Sequence, residues 1–365
     1  MATNGLSPTD GCSRPPGRAL VTGASGIVGR NLVALLLDRG WEVRTFGRRP
    51  LTGSEATRVD HLIGDVRDPR RVGVAVRDVE VVFHLAARIT LLSEDPDAWS
   101  INVDGPRIVA EAARRAGVGR LVHCSSVHAF DATRSEGLLD ESCPRSGADR
   151  PLYDRTKAAG EEAIRREVGA GLDATIINPT GIIGPVDPGL TRINRLMRTA
   201  ARGRLVVATG GGFDFVDVRD VVLTAVAALD RGRTGESYLV PGHRISVMHL
   251  ARMAAGLNGR LGPRVAVPGS VARRVAPAGE RIGRWFHTDS FTPASINTLI
   301  DAPSVDGSKA AIELGHRPRP VEDTIRDLIW WFHDAGLLDG TSSSRTPARV
   351  RARRDRQRLA RARTS

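Results

Sequence analysis

The sequence predicts an α/β protein: a doubly wound parallel sheet with a smaller interleaved substrate lobe. Three observations lead there. Short apolar segments alternate with amphipathic ones through the first half of the chain. A glycine-rich turn, Thr22-Gly23-Ala24-Ser25-Gly26-Ile27-Val28-Gly29, joins the first apolar segment to the first amphipathic one. The segment Tyr153-Asp154-Arg155-Thr156-Lys157 sets a phenol and an ammonium four residues apart, on one face of a helix.

In chain order, residues 18–22 (RALVT) read as a short buried strand, and residues 30–39 as a helix with Leu32, Val33, Leu36 and Leu37 turned inward. Gly40 stands where a helix stop is favoured. Strands follow at 41–46, 61–65 and 79–87; the last is apolar nearly throughout, as a strand covered on both faces should be. Residues 103–116 read as a helix, 120–126 as the fifth strand, 153–168 as a helix and 174–178 as the sixth strand. The dinucleotide-binding domain is therefore expected over 18–181. Beyond Pro179 the pattern loosens. Segments 182–214 and 236–300 are expected to make the substrate lobe, with 215–235 returning to the sheet domain. Residues 301–340 close the chain with an amphipathic helix over 321–333, apolar at Ile325, Leu328, Ile329, Trp331 and Phe332.

The 365 residues are 41% hydrophobic, enough for a large core, and no apolar run reaches membrane-spanning length. Residues 1–17 are polar and rich in Pro and Gly, without the apolar stretch of a signal peptide, and read as a disordered leader. Cys12, Cys124 and Cys143 have neither metal-ligand nor redox spacing, so no metal site and a reducing, cytoplasmic setting are expected. Of the formal net charge of +12, +8 falls in residues 341–365, which leaves a mildly basic body. That arginine-rich tail reads as a disordered, solvated extension rather than a nucleic-acid or membrane arm, because no aromatic residue is interleaved with the arginines.

The chemistry follows from residue types and spacing. Gly23, Gly26 and Gly29 permit a tight turn and close approach of a pyrophosphate, and the helix N-terminus adds N–H donors. The second strand runs into Phe46-Gly47-Arg48-Arg49, where a NAD enzyme would place a carboxylate for the ribose 2′-hydroxyl. Arg48 and Arg49 instead suit a 2′-phosphate, which favours NADP over NAD; the alternative is that both face solvent. Tyr153 is the expected acid/base. Lys157 beside it, with an oxidised nicotinamide, should lower the phenol's pKa and hold the ribose. Ser126, at the end of the fifth strand, is placed to polarise a substrate oxygen; Ser125 should point to the other side of the strand.

Together these motifs resemble the extended short-chain dehydrogenase/reductases, the NAD-dependent epimerase/dehydratase family with its Rossmann domain. The resemblance spans about residues 18–335: TGASGIVG, GDVRD (64–68), HLAA (84–87), NVDG (102–105), HCSSV (123–127), YDRTK, NPTGIIGP (178–185) and DFVDVRDV (214–221). It implies that Ser25 and Ile27 join the glycines at the cofactor. It also implies that Asp65 and Val66 lie by the adenine, that Leu85, Ala86 and Ala87 line the cleft, and that Asn102 is a structural or cofactor-side residue. Pro179 and Thr180 would border the nicotinamide. Three departures narrow the branch. Val127-His128 follows the serine where dehydratases carry Asp-Glu, Phe213 precedes Asp214 where sugar epimerases carry arginine, and Gly181 stands where they tend to carry asparagine. The chain is most similar to the dihydroflavonol-4-reductase-like and 3β-hydroxysteroid dehydrogenase-like branch. The implied activity is reversible hydride exchange between NADP(H) and a small-molecule ketone or secondary alcohol, and members of the family often pair as homodimers. An epimerase using the same Ser/Tyr/Lys set and a non-catalytic dinucleotide sensor are the alternatives. Met197, Trp285, Phe286 and Phe291 are either apolar substrate walls or lobe core, and His128 either touches substrate or faces solvent.

Overall fold

The computed structural model describes residues 16–134, 137–209, 211–267, 271, 274 and 302–338. Most of the expected leader, the arginine-rich tail, and Trp285, Phe286 and Phe291 lie outside the described residues. The strands are β1 (Arg18–Thr22), β2 (Glu42–Gly47), β3 (Asp60–Ile63), β4 (Val81–His84), β5 (Arg120–Cys124), β6 (Leu138–Leu139), β7 (Ala174–Pro179), β8 (Gly181–Ile183), β9 (Val207–Thr209), β10 (Gly212–Asp217), β11 (Ser237–Val240), β12 (His243–Ser246), β13 (Val265–Val267) and β14 (Ser304–Val305). The helices are α1 (Ile27–Asp38), α2 (Pro69–Ala75), α3 (Pro96–Trp99), α4 (Gly105–Arg115), α5 (Leu152–Gly169), α6 (Arg192–Ala201), α7 (Val218–Arg231), α8 (Val247–Leu257) and α9 (Val321–Asp334).

Seven strands form one parallel sheet in the order β11-β7-β5-β4-β1-β2-β3. Side chains alternate across it. Val21, Val81, Phe83 and Val122 pack on one face against Leu32 and Leu36 of α1 and Val222 and Val226 of α7. Leu20, Val82 and Leu121 pack on the other face against Val72 of α2, Val109 and Ala113 of α4 and Ile164 of α5. Burial on both faces is why these strands read as continuous apolar runs.

The expected return of the chain to the sheet is more extensive than residues 215–235. Helix α7 covers one face, and β11 then adds a seventh strand, paired in parallel with β7 through Tyr238↔Ile177. A second layer, the sheet β12-β10-β8 with α6, α8 and α9, has its own core of Leu250, Ala254, Ile325, Leu328 and Phe332. Met197 is fully buried in that core, so it is not a wall of the cleft. Among the described residues, no helix is long and apolar enough to cross a membrane.

Two local departures from the expected elements shape the site. Strand β4 ends at His84: the Leu85 amide is shared between the Thr22 carbonyl at 3.3 Å and the Thr22 hydroxyl at 3.2 Å, and the Ala86 amide turns to that hydroxyl at 3.3 Å. The helix expected from residue 103 begins earlier, at α3, whose N-cap Asp95 accepts from the Asp97 amide; a π turn at Ser100–Asp104 links α3 to α4. Pro106 has no N–H to give the carbonyl of Asn102 four residues back. That carbonyl faces Gly160 of α5, where any Cβ would collide with it. Bare backbone thus lets the two helices meet at the π turn.

Gly160→Ala is therefore expected to destabilise the protein by about 1–3 kcal/mol, the range for overpacking. Gly73→Ala is the control: the added Cβ meets nothing within 4 Å, and a helical Gly→Ala change with that room gains up to about 1 kcal/mol. Urea denaturation separates the two; equal stability of Gly160→Ala and the wild type contradicts the close approach.

Candidate active site

The glycine turn forms an open cradle. Gly23 has φ +72°, and a Cβ there would lie 2.7 Å from the Ala86 amide nitrogen. A Cβ on Gly29 would collide with the Gly23 carbonyl. Gly26 caps α1 without any side-chain hydrogen bond, so the first amides of the helix face outward with the positive end of its dipole. Ser25 and Gly26 are exposed at the tip of the turn, and Ile27 is buried beneath it. Leu85 and Ala86 are half-buried beside the cradle and Ala87 is exposed. Pro179 and Thr180 are buried at the end of β7, and among the described residues the Thr180 hydroxyl has no hydrogen-bond partner. A cradle with no room for side chains, bare helix amides and a spare buried hydroxyl fit a dinucleotide.

At the adenosine end, Arg48 and Arg49 are exposed after β2. Asp65 is expected at the adenine, but its carboxylate is already gripped by Arg67, at 3.0 Å from Nε and 2.8 Å from Nη2; Arg67 reaches Asp97 as well, at 2.8 Å. That hydrogen bond from Arg67 holds the Asp65 carboxyl below its usual range, and the Arg48 charge adds to the effect. Val66 is buried. Arg30 is a residue that the sequence reading did not single out. Its buried guanidinium donates to the Thr52 carbonyl, to Thr52 Oγ1 at 3.1 Å and to Glu55 at 3.3 Å, pinning the loop that follows Arg48 and Arg49.

The proposed acid/base set converges at the end of β5. Ser126 caps the 3-10 turn Val127–Ala129, its Oγ accepting from the His128 amide at 3.3 Å, and it shares a hydrogen bond with the Tyr153 phenol. Ser125 is buried, and its Oγ has no partner among the described residues. Lys157 lies one turn beyond Tyr153 on α5, is 3% exposed, and donates to the Cys124 carbonyl at 3.2 Å. Burial pushes the lysine down from its ordinary value. Burial also pushes the Tyr153 phenol well above the usual range, with the Asp154 charge adding to the rise; the Ser126 hydrogen bond and Arg192 pull the other way. The expected depression of the phenol is thus not seen in the protein groups alone, because loss of hydration outweighs the Ser126 hydrogen bond and the Arg192 charge.

Asn102 is a tie between elements. Its Oδ1 accepts from the Arg88 amide at 2.7 Å, and its Nδ2 donates to the Arg88 carbonyl at 2.9 Å and to Thr156 Oγ1 at 3.0 Å. Thr156 in turn donates to the Tyr153 carbonyl at 2.8 Å. With both ends of the amide engaged, Asn102 joins the cleft to the tyrosine's helix rather than reaching toward a cofactor. The identity of Asn102 was legible in the sequence; its partners were not.

Asp154 was overlooked although it adjoins Tyr153. Its Oδ1 lies 3.1 Å from His128 Nδ1. The His128 ring stands edge-on to Tyr153, with centroids 5.5 Å apart, and lies flat against Phe213 at 6.0 Å. Beneath the site, His84 and His123 are buried and stacked at 5.3 Å, with His84 Nδ1 2.8 Å from the Thr22 hydroxyl. Burial, assisted by the Lys157 charge, pulls His84 down to about 3 and His123 well below its usual value. Among the described residues, no group of three or more His, Cys, Asp or Glu is placed to hold a metal ion.

Residues 19–240 match the NAD dependent epimerase/dehydratase family. The chain is 36% identical to "Sterol demethylase protein B" of Methylococcus capsulatus, over 87% of this chain and 99% of that protein. It is 28% identical to a "3 beta-hydroxysteroid dehydrogenase/Delta 5-->4-isomerase" of Mycobacterium tuberculosis, over 83% of this chain and 86% of that protein. The solved structure of gox2253 superposes with a TM-score of 0.76 at 31% identity, covering 89% of this chain and 100% of that one.

The buried histidines give a pH signature. Their folded pKa values lie below the unfolded value near ~6.5, so below that pH the unfolded chain binds protons that the folded chain does not. Stability is present above pH 6.5 and is lost as pH falls. Between pH 7 and pH 5, where carboxylates barely titrate, the unfolding free energy is expected to drop by roughly 2–4 kcal/mol. Urea midpoints measured across that window test this, and a flat profile contradicts it.

Proposed function

The chain belongs to the NAD dependent epimerase/dehydratase family, and on that premise we propose that it exchanges a hydride between NADP(H) and a ketone or secondary alcohol on a polycyclic, largely apolar molecule. It is an NAD(P)-dependent oxidoreductase of the CH–OH/C=O class. The observation that carries the fuller reading is the meeting of Ser126, Tyr153 and Lys157 beside the glycine cradle. The bound dinucleotide supplies the hydride acceptor or donor. Ser126 and Tyr153 hold the substrate oxygen between two hydroxyls, and Tyr153 gives or takes its proton. Lys157, buried against the end of β5, keeps a positive charge beneath the phenol.

The substrate class draws support from relatives whose names refer to sterols and 3β-hydroxysteroids. It also draws support from Phe213, which meets His128 and Phe215 with its ring at the position where a sugar epimerase carries a diphosphate-binding arginine. NADP is favoured by Arg48 and Arg49, which stand exposed on a loop held in place by Arg30.

Oxidation of NADPH and NADH, followed by absorbance with saturated ketosteroids and other polycyclic ketones, tests the reading; turnover of nucleotide sugars without net cofactor consumption would replace it with an epimerase. Tyr153→Phe is expected to lower kcat by about 10²–10⁴-fold while dinucleotide binding, followed by fluorescence, stays nearly intact. Wild-type turnover by that variant would discard the assigned acid/base. Arg48→Ala is expected to weaken NADPH binding far more than NADH binding, and equal losses would remove the 2′-phosphate argument.

A further inference from the structure

We propose that the second layer carries a surface for docking onto an anionic lipid bilayer, built from exposed valine and leucine side chains flanked by arginines. The surface stands without the oxidoreductase reading; only its use, collecting an apolar ketone from the bilayer, rests on that reading.

Val206, Val207, Leu261 and Val265 are 44–71% exposed. They come from two distant segments that folding brings together. Val207 of β9 stands opposite Val265 of β13 in a parallel pair, and the Val206 carbonyl accepts from the Arg264 amide at 3.0 Å. Leu261 lies on the segment leading into β13. Apolar residues scattered singly over a surface need no explanation, but a convergent group does. Cations converge there as well. Arg252 Nε donates to the Pro263 carbonyl at 3.0 Å, which sets its guanidinium beside Leu261. The Arg260 stem runs along Gly203, where an added Cβ would meet the Arg260 Cβ at 3.4 Å, so it reaches the turn between α6 and Val206. Arg264 directly precedes Val265, and Arg252, Arg260 and Arg264 are all exposed.

Charge complementarity selects the partner. Residues 188–213 and 237–267, which hold α6, α8, β9 and β13, contain nine arginines and neither aspartate nor glutamate, in a body that is only mildly basic. Such a face attracts an anionic headgroup layer. Long arginine side chains reach the phosphates while aliphatic groups enter the boundary with the acyl chains. Nucleic acid is met by aromatic stacking platforms, and this patch offers aliphatic side chains instead. A second copy of the chain would set arginine against arginine.

The position suits the use. Helix α6 runs from Arg192, whose charge favours the Tyr153 phenolate, to Ala201 just before the patch. Its 10 residues span about 15 Å. Leu205, next to Val206, packs into the same core as Phe213, and Phe213 lies against His128 in the cleft. The docking face and one wall of the cleft thus belong to one packed layer.

Flotation of the full-length protein tests this, with vesicles of phosphatidylcholine alone or mixed with phosphatidylglycerol. The wild type is expected to partition onto the mixed vesicles at least about tenfold better than onto the neutral ones. Val206→Ser combined with Leu261→Ser leaves every charge in place, those of residues 341–365 included. It should still lose at least about tenfold of that partition, as two aliphatic side chains lose their burial. Arg260→Gln combined with Arg264→Gln should lose about as much, on the mixed vesicles only. Thermal unfolding followed by circular dichroism checks that each variant folds; if the serine pair does not, the glutamine pair decides alone. Undiminished partition of a folded variant overturns the proposal. So does tighter binding to a DNA duplex than to the mixed vesicles, or a dimer in solution that the serine pair breaks. Vesicle binding lost in both variants, in a protein that reduces no ketone, upholds the surface and removes only the hydride reading and the use assigned here.

Discussion

The side-chain amide of Asn102 holds the two halves of the site together. It is 3% exposed and bonds both backbone groups of Arg88 on the cleft side and the Thr156 hydroxyl on α5. Each such bond contributes about 1 kcal/mol net, but loss of the amide would strand buried partners at about 1–3 kcal/mol each. The tie works only because α5 comes close, and α5 comes close only because Gly160 has no side chain and Pro106 leaves the Asn102 carbonyl without a helical donor. The spacing of Tyr153 from the cleft depends on all three residues.

A second polar layer steadies the serine. Asn178, fully buried on β7, donates to the Ser126 carbonyl at 2.9 Å and to Glu161 of α5. Glu161 is itself fully buried, a position tolerable only with compensation, which Arg165 at 3.0 Å and Arg145 at 3.3 Å supply. The guanidinium of Arg145 also lies over the Phe130 ring at 3.7 Å, anchoring the loop between Ser126 and α5. The hydroxyl and the phenol are therefore referred to one buried charge cluster, and helix and strand end are held in register.

The sequence made the glycine cradle and the Tyr153–Lys157 pair legible because each depends on local chemistry: a turn with no room for Cβ, and a helical spacing of four. Strands buried on both faces were legible as unbroken apolar runs. Features set by distant partners were hidden. The π turn arises from Pro106 meeting α5, not from any local signal at Asn102. Strand β11 spans only four residues and is recognisable through its pairing with β7. Asp65 follows the family motif, yet Arg67, two residues on, takes up its carboxylate. Asp154 stood next to a residue already singled out, but only folding brings His128 to it.

The central claim is geometric: Ser126, Tyr153 and Lys157 surround the place where a nicotinamide ring meets a carbonyl carbon. Reduction of a ketone with NADPH carrying deuterium at C4 of the nicotinamide tests this most directly. The account predicts that deuterium appears on the new carbinol carbon of the product. A product whose carbinol hydrogen comes from solvent, with cofactor deuterium retained, would contradict it.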